Sequence, residues 1–265
     1  MPTVKSAIRV LEVFEYFDRV QREASVTEIA RELGYPQSST SVLLRNLADL
    51  GYLRHGADQR SYFPTPRVAM LGSWVEPMVA PGGSLRQLMG ELGELTGETI
   101  ILATPLRDQV QYVHVVPATT TMRMHVGPGT LRPLLTSGLG RLFAADLADD
   151  QLRRMVLRHN GGAEAGEEIS VAALRRDLAA IRNSGFSISL NRITSGAGVI
   201  GIRLPVDAGG APLALGIGGW SRTIRNEQDR YLQLLRSAVG RYFEPPAAAA
   251  RRCSGRRIGA AREAA

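Results

Sequence analysis

The sequence of 265 residues predicts an α+β protein that combines an N-terminal helix-turn-helix domain with a larger domain of mixed strands and helices. Two observations support this prediction. Between Ser25 and Leu53, two helical patterns lie on either side of a glycine turn. After Glu98 the hydrophobic pattern changes from a helical period to strand-like runs. The chain is long enough for two domains with separate cores.

The composition is that of an ordinary globular protein, with 44% hydrophobic and 22% charged residues. Cys253 is the single cysteine, which excludes a disulfide within the chain and a cysteine-rich metal site. The sequence shows no signal peptide and no apolar run of membrane-spanning length. We therefore expect a cytoplasmic protein with no metal and no cofactor.

The first predicted helix runs from Val4 to Tyr16. Its apolar residues, with Phe17 just beyond, are sufficient to complete a three-helix core: Ile8, Leu11, Val13, Phe14 and Phe17.

The second helix shows one apolar stripe, formed by Val26, Ile29, Ala30 and Leu33. Ser25 or Thr27 can cap its start, and Glu28 lies near the positive end of the helix dipole. Gly34 stands where a helix ends in a left-handed residue.

The third helix is the predicted DNA-recognition helix. Pro36 suits its first turn, and we expect Val42, Leu43, Leu47 and Leu50 to form its apolar stripe. The remaining hydroxyl, amide and guanidinium groups then face outward, where such groups read base edges and phosphates. With one arginine of the wing, the predicted DNA-binding residues are Gln37, Ser38, Ser39, Thr40, Ser41, Arg45 and Arg60.

The wing is predicted from two short strand-like runs, 52–55 and 61–63, which flank a turn at 55–60. The alternative is a plain helical hairpin with serines on a solvated face. The preceding helix and the wing that follows directly favour DNA binding.

The charge distribution gives little support to either alternative. The net charge is +7, but residues 1–66 contain eight Lys/Arg and eight Asp/Glu. The tail, 247–265, contains five arginines and one glutamate, and therefore carries more than half of the excess. We expect DNA binding to depend on salt, with a shallower slope than for a highly basic domain.

The rest of the chain is predicted as a linker helix followed by a mixed domain. The linker helix spans Arg67 to Ala80, and a second helix spans Ser84 to Leu95. Strands are expected at 99–104, 110–116, 121–126, 186–190, 199–206 and 212–217, with a hairpin turn at 207–210. Helices are expected at 137–147, 150–157, 171–184 and 226–242. The predicted domains are 1–66 for DNA binding, 67–82 for the linker, 83–245 for the effector domain and 246–265 for a disordered or frayed tail.

Several segments, taken in order, resemble the IclR family of bacterial transcriptional regulators. They are Pro36–Thr40 with Asn46–Leu53, Leu71-Gly72, Val126–Ala145, Arg182–Phe186 and Gly198–Val206. The resemblance covers roughly residues 4–244. It implies a GAF-like effector domain that binds a small, often acidic or aromatic metabolite. It also implies dimers, often paired into tetramers, bound to operator DNA near catabolic operons.

Carried over residue by residue, the resemblance implies an effector pocket along three strands and a helix start. Ser137 and the amides of the following glycines form a helix N-terminus, which suits an anion. The predicted effector-binding residues are Met122, Met124, Ser137, Gly138, Leu139, Asn191, Val199, Gly201, Arg203, Gly216 and Gly218.

Two departures from the family pattern lead to further expectations. Val42 stands where the family usually has an arginine, so one expected DNA contact is missing. Gly201, Gly216 and Gly218 replace side chains that some members carry, which predicts a wider, less polar pocket. A bulkier and plausibly aromatic acid is the effector expected from this.

Alternatives remain at several positions. The two methionines are equally well explained as core filler, and Arg203 either anchors a ligand carboxylate or extends from a strand end to solvent. His114 and His125 have no companion at metal-ligand spacing. An enzyme is the runner-up function, but the sequence has no Gly-x-Ser-x-Gly motif. The leading prediction is a ligand-responsive repressor, with an activator of the same architecture as its variant.

Overall fold

A computed structural model describes residues 4–73, 75, 84–120, 126–163, 166, 168–205 and 212–243. The chain divides into two compact units, Met1–Val75 and Glu76–Ala265.

The N-terminal unit is a three-helix core with a small antiparallel sheet. Its helices are α1 (Lys5–Val20), α2 (Val26–Leu33), α3 (Gln37–Asp49) and α4 (Pro66–Gly72). Its strands are β1 (Ala24–Ser25), β2 (Leu53–His55) and β3 (Ser61–Pro64), in the order β1-β3-β2. The winged helix-turn-helix prediction is confirmed, and β1 is an addition that the sequence analysis missed.

The predicted boundaries of α2 are explained by its caps. The Ser25 hydroxyl accepts a hydrogen bond from the Glu28 amide at 3.2 Å, and Gly34 ends the helix with φ +69°. In contrast, α1 continues to Val20 and buries Val13, Tyr16 and Phe17. Ile8 and Leu11 are 40% and 62% exposed, so their assignment to the core was wrong.

The predicted stripe of α3 is confirmed at Leu43 and Leu47, which pack in the core, and was wrong at Val42 and Leu50. Thr40, Leu44 and Leu47 are buried, whereas Val42 is 55% and Leu50 58% exposed. The buried set follows the i, i+4, i+7 spacing of one helix face. Thr40 can occupy this face because its hydroxyl donates a hydrogen bond to the Pro36 carbonyl at 3.0 Å.

The C-terminal unit is built on an antiparallel sheet that has six strands within the described residues, ordered β6-β5-β4-β9-β8-β7. These strands are β4 (Thr99–Leu106), β5 (Gln109–Val116), β6 (Leu131–Pro133), β7 (Phe186–Leu190), β8 (Ala197–Arg203) and β9 (Ala214–Trp220). The helices are α5 (Leu85–Thr96), α6 (Gly138–Ala144), α7 (Asp149–Asn160), α8 (Val171–Ser184), α9 (Ser221–Asn226) and α10 (Gln228–Phe243).

The sheet separates two apolar cores. On one face, α5, α9 and α10 pack on alternate strand residues such as Ile200 and Ile217. On the other face, α6, α7 and α8 pack on residues such as Ile101 and Ala214. Because neighbouring strand residues point to opposite faces, Val199 and Gly201 lie on the α6 side, as the alternation predicts.

Helix α6 lies very close to the sheet, and all seven of its residues are buried. Gly201 and Gly216 are cross-strand partners, and a Cβ atom at either would lie 2.4 or 2.7 Å from Leu139 Cδ2. The two glycines therefore provide the space that the Leu139 side chain fills.

Helix α8 and strand β7 have the predicted boundaries, and α10 matches the predicted closing helix, 226–242, to within two residues. Helix α9, which precedes it, was not predicted. Strand β6 was not predicted. The predicted strand at 121–126 with Met122 and Met124, the turn at 207–210, the tail, and the linker helix beyond Gly72 lie wholly or mostly outside the described residues. Among the helices described, none is long and apolar enough to cross a membrane.

Candidate nucleic-acid interface and effector cavity

The outward surface of α3 carries most of the predicted DNA-binding groups. Gln37, Ser38 and Arg45 are exposed, and Ser41 is half-buried. Gln37 Nε2 donates a hydrogen bond to Thr27 Oγ1 at 3.0 Å, which orients the amide at the start of the helix. Ser39 is half-buried and donates to the Pro36 carbonyl at 3.0 Å. This surface therefore offers amide, hydroxyl and guanidinium groups to a ligand.

Thr40 does not belong to this surface. It is 3% exposed and its hydroxyl is satisfied by the Pro36 carbonyl, so the expectation that it faces outward was wrong. Val42 takes an outward position in its place and adds an apolar patch to the surface.

The wing turn is fixed by one carboxylate. Asp58 Oδ1 accepts hydrogen bonds from the amides of Arg60 and Ser61, at 3.0 and 3.1 Å, and from the Ser61 hydroxyl at 2.9 Å. The Arg60 amide and then the Ser61 hydroxyl lower the pKa of Asp58. These bonds hold the exposed Arg60 at the tip of the wing.

Arginines of the N-terminal unit differ in how far their charge is offset. Arg54 pairs with Glu23 at 3.0 Å and lies over the Phe63 ring at 5.2 Å. Arg45 and Arg60 form no ion pair within the described part of the chain. They are therefore the better candidates for phosphate contacts.

The C-terminal unit contains a cavity of about 30 Å³ between the start of α6, the β5–β6 edge and the β7–β8 hairpin. A space of this size holds roughly one water molecule. Its lining combines polar and apolar residues, which are Tyr112, Arg132, Ser137, Gly138, Ser189, Arg192, Ile193, Thr194, Ala197, Gly198 and Val199.

Two arginines give the cavity its charge. Arg192 lies 3.7 Å from Asp177, which also pairs with the buried Arg141 at 2.9 Å. Burial, and then the like charge of Arg192, lower the pKa of Arg141. Burial raises the pKa of Tyr112, against the opposing effect of Arg132. The Asp177 carboxylate thus offsets only part of the positive charge of Arg132, Arg141 and Arg192. Because Arg132 and Arg192 line the cavity, the cavity suits an anion.

Ser137 has a structural role at this site as well as a place in its lining. It is 3% exposed, and its hydroxyl oxygen accepts a hydrogen bond from the Gly140 amide at 3.2 Å, which caps α6. The hydroxyl hydrogen remains available as a donor.

The structure brings Ser137, Gly138 and Val199 together in the cavity lining, with Leu139 packed behind them. Gly218 is buried and pairs with Val199 across the strands. The expectation that Gly201 and Gly216 widen the pocket was wrong, because Leu139 occupies the space above both glycines.

Asn191 and Arg203 are not part of the lining in the described residues. Asn191 adopts φ +58° and its Oδ1 accepts a hydrogen bond from the Gly196 amide at 2.9 Å, which closes the β7–β8 turn. Arg203 pairs with Asp146 and lies 5.1 Å from the centre of the Phe143 ring. Arg203 is thus held at the strand end by protein groups, in agreement with the second of its two alternatives.

Five polar residues of the cavity lining were not predicted from the sequence: Tyr112, Arg132, Ser189, Arg192 and Thr194. The strand alternation could have placed Tyr112 on the α6 face. The two arginines carry no local signal, because they reach the cavity from a short edge strand and a hairpin turn.

Family models match both units of the chain. The IclR helix-turn-helix domain matches residues 6–56, and the C-terminal domain of the bacterial transcriptional regulator IclR matches residues 83–241. The chain belongs to the IclR family.

Relatives of known description agree with this assignment. The chain is 28% identical to the transcriptional repressor IclR of Escherichia coli over 69% of this chain and 68% of the relative. It is 26% identical to the acetate operon repressor of Salmonella typhimurium over 69% of this chain and 68% of that relative. A crystal structure of an IclR homologue from Microbacterium hydrocarbonoxydans, complexed with 4-hydroxybenzoate, shares the fold with a TM-score of 0.58. The sequence identity is 19%, and the match covers 88% of this chain and 95% of that chain.

IclR-family membership confirms the prediction of a DNA-binding transcriptional regulator with a ligand-binding C-terminal domain. It also decides against the enzyme alternative, since the family and these relatives are transcriptional regulators.

Proposed function

We propose that this IclR-family regulator is a ligand-responsive repressor of a catabolic operon, and that it acts in the cytoplasm as a homodimer or a pair of dimers. The observation that carries the proposal is the combination of an outward polar face on α3 with a cationic cavity in the C-terminal unit. Domains 1–66 and 83–245 would supply these two functions, joined by the linker 67–82.

DNA recognition is assigned to the exposed groups of α3 and the wing. Gln37, Ser38 and Ser41 have the donors and acceptors that read base edges, with Ser39 beside them. Arg45 and Arg60 supply charge to phosphates. Thr40 is omitted because its hydroxyl is buried and bonded within the helix.

The effector is assigned to the class of small organic acids. A carboxylate in the cavity would meet the guanidinium groups of Arg132 and Arg192 and the hydroxyl groups of Ser137 and Ser189. Gly218 lies beside this lining as the cross-strand partner of Val199. The volume of about 30 Å³ favours a compact acid over an aromatic one.

Repression is favoured over activation by the relatives, two of which are described as repressors. In this scheme the acid binds the C-terminal unit, and the operator affinity of the N-terminal unit falls. The homologue from Microbacterium hydrocarbonoxydans is complexed with 4-hydroxybenzoate, a small carboxylic acid, which agrees with the proposed effector class.

A mobility shift on the DNA upstream of the gene itself tests the DNA-binding assignment. The wild-type protein should bind this duplex, and Arg45→Gln should weaken the complex by about 5- to 100-fold. Arg19→Gln on α1 is the control, because it removes the same charge from an exposed side chain outside α3 and the wing. Equal binding by Arg45→Gln and wild type would remove α3 as the recognition helix.

A further inference from the structure

A second cavity lies within the N-terminal unit, between α1 and α3, with a volume of about 230 Å³. We call it the α1–α3 notch and define it by Ser6, Arg9, Tyr35, Ser39, Val42 and Asn46. The DNA-binding assignment above uses Ser39 but leaves the α1 side of the notch without a function.

Arg9 supplies a guanidinium group to the notch, where it lies 4.4 Å from the centre of the Tyr35 ring. Stacking on a ring uses the face of a guanidinium and leaves the N–H groups at its edge able to donate hydrogen bonds. Arg9 is therefore half-buried and oriented, while its donors can still reach a ligand in the notch.

Tyr35 is in turn held by Glu12 of α1. The tyrosine hydroxyl donates a hydrogen bond to the Glu12 carboxylate, and this bond raises the pKa of Tyr35. This hydrogen bond ties the Tyr35 side chain to α1. Because Arg9 lies against the same ring, the bond also helps to fix the position of Arg9.

The notch borders the recognition surface. Ser39 and Val42 belong both to its lining and to the side of α3 that faces away from the core. When α3 lies in a major groove, the sugar-phosphate backbone runs along the side of the helix, since the groove is only about 12 Å wide. Val42 brings no charge to this edge, whereas Arg9 brings a cation to the same lining.

We propose that Arg9 binds a phosphate of the operator backbone in the α1–α3 notch, and that Tyr35 and Glu12 are its positioning residues. The inference rests on the proposed DNA binding and adds a contact from α1. Ser6 and Asn46 lie in the same lining and can donate further hydrogen bonds to the phosphate oxygens.

Salt-dependent binding to a fluorescent duplex of the upstream DNA tests this contact. Loss of one phosphate contact should lower the slope of log K against log[salt] by about one per protomer bound. At 0.15 M salt it should weaken binding on the order of fivefold per contact. Arg9→Gln should show both effects, and Arg9→Lys should retain most of the slope because it keeps the charge.

Arg19→Gln is the matched control, since Arg19 lies on the same helix and packs on a tyrosine in a similar way, 5.7 Å from the Tyr16 ring. Thermal unfolding of each variant separates loss of contact from loss of fold. An Arg9→Gln protein that is folded and binds with the wild-type slope would overturn the proposal. So would an equal loss in Arg9→Gln and Arg9→Lys, which would indicate that the stacked guanidinium only supports the fold. A wild-type protein that fails to bind the duplex would instead overturn the proposed function itself.

Discussion

The recognition surface of α3 and the cavity beside α6 carry similar chemical groups but differ in how exposed those groups are. On α3, Gln37, Ser38 and Arg45 are exposed to solvent. Beside α6, Arg192 is already near Asp177, and the space between the lining groups is about 30 Å³. The α3 groups are therefore accessible to a large ligand, whereas the cavity beside α6 leaves space for about one water molecule.

This difference suggests how the two activities can be coupled. The groups of α3 are already exposed, whereas Arg192 already lies 3.7 Å from the Asp177 carboxylate. A ligand shifts a conformational equilibrium only through a difference in affinity between two states. Under the proposed function, an acid that competes with Asp177 for Arg192 would provide such a difference.

The largest expected effect comes from Leu139→Ala, which tests whether this side chain closes the cavity. Leu139 is 1% exposed and fills the space above two glycines, so the free energy of unfolding should fall by about 2–5 kcal/mol. Urea denaturation measures this loss. Leu157→Ala, at a side chain that is 71% exposed, is the control and should change little.

The same Leu139→Ala variant should bind benzoate more tightly than the wild type does, because the enlarged space admits an aromatic ring. Isothermal titration at a temperature where the variant is folded measures this. An unchanged free energy of unfolding would contradict the packing of Leu139 above Gly201 and Gly216. An unchanged benzoate affinity would contradict the expectation that this side chain limits the size of the acid.

Arg132→Gln tests the electrostatic half of the cavity. Loss of a charge-assisted hydrogen bond should weaken binding of a carboxylate effector by about 10- to 100-fold. Titration calorimetry with the acid that binds the wild type best measures the change. Arg107→Gln removes the same charge from the exposed β4–β5 turn and should leave acid binding intact. Equal affinities in Arg132→Gln and wild type would place the acid elsewhere.

Glu98→Gln should have the smallest effect, because Glu98 acts on the opposite core. Burial raises the pKa of Glu98 against the hydrogen bond from Tyr231, while burial and then the negative charge of Glu98 raise the pKa of Tyr231 to about 12. An acid with a raised pKa in the folded state favours folding below its unfolded pKa, near 4.3, and loses that contribution as the pH rises through the folded value.

Glu98→Gln should therefore be more stable than wild type at pH 7, and the gain should disappear near pH 4. Thermal midpoints measured across this range test the prediction, with the exposed Glu94→Gln as the control for lost charge. Acid binding should stay unchanged. A gain that is independent of pH would contradict the assigned role of the Glu98 carboxylate.

Elements with local signals could be predicted from the sequence. Helix α8 begins after Ser170, which caps it, and ends at Gly185 with φ +74°. Both of its boundaries can therefore be predicted from the adjacent residues. In α3, by contrast, Val42, Leu43 and Leu44 follow one another, and the pattern does not decide which of them faces the core. The buried Thr40 decides it in the structure, through a hydrogen bond that the sequence does not reveal.

The effector cavity could be predicted only in part for a similar reason. Ser137 and Gly138 were placed in the pocket by the family resemblance, and the helix start that they form is a local feature that supports the placement. Arg132 and Arg192 meet at the cavity from β6 and the β7–β8 turn, which are 60 residues apart in the chain. Leu139 filling the space above Gly201 and Gly216 is likewise a contact between distant segments, and it reversed the expectation of a wide pocket.

The central claim is that acid binding beside α6 and operator binding by α3 oppose each other. The most direct test measures the operator affinity with increasing acid, and the acid affinity with and without operator, on the same protein. We predict that the acid weakens operator binding and that the operator weakens acid binding by the same factor. An acid that binds in the cavity and leaves operator affinity unchanged would contradict the account.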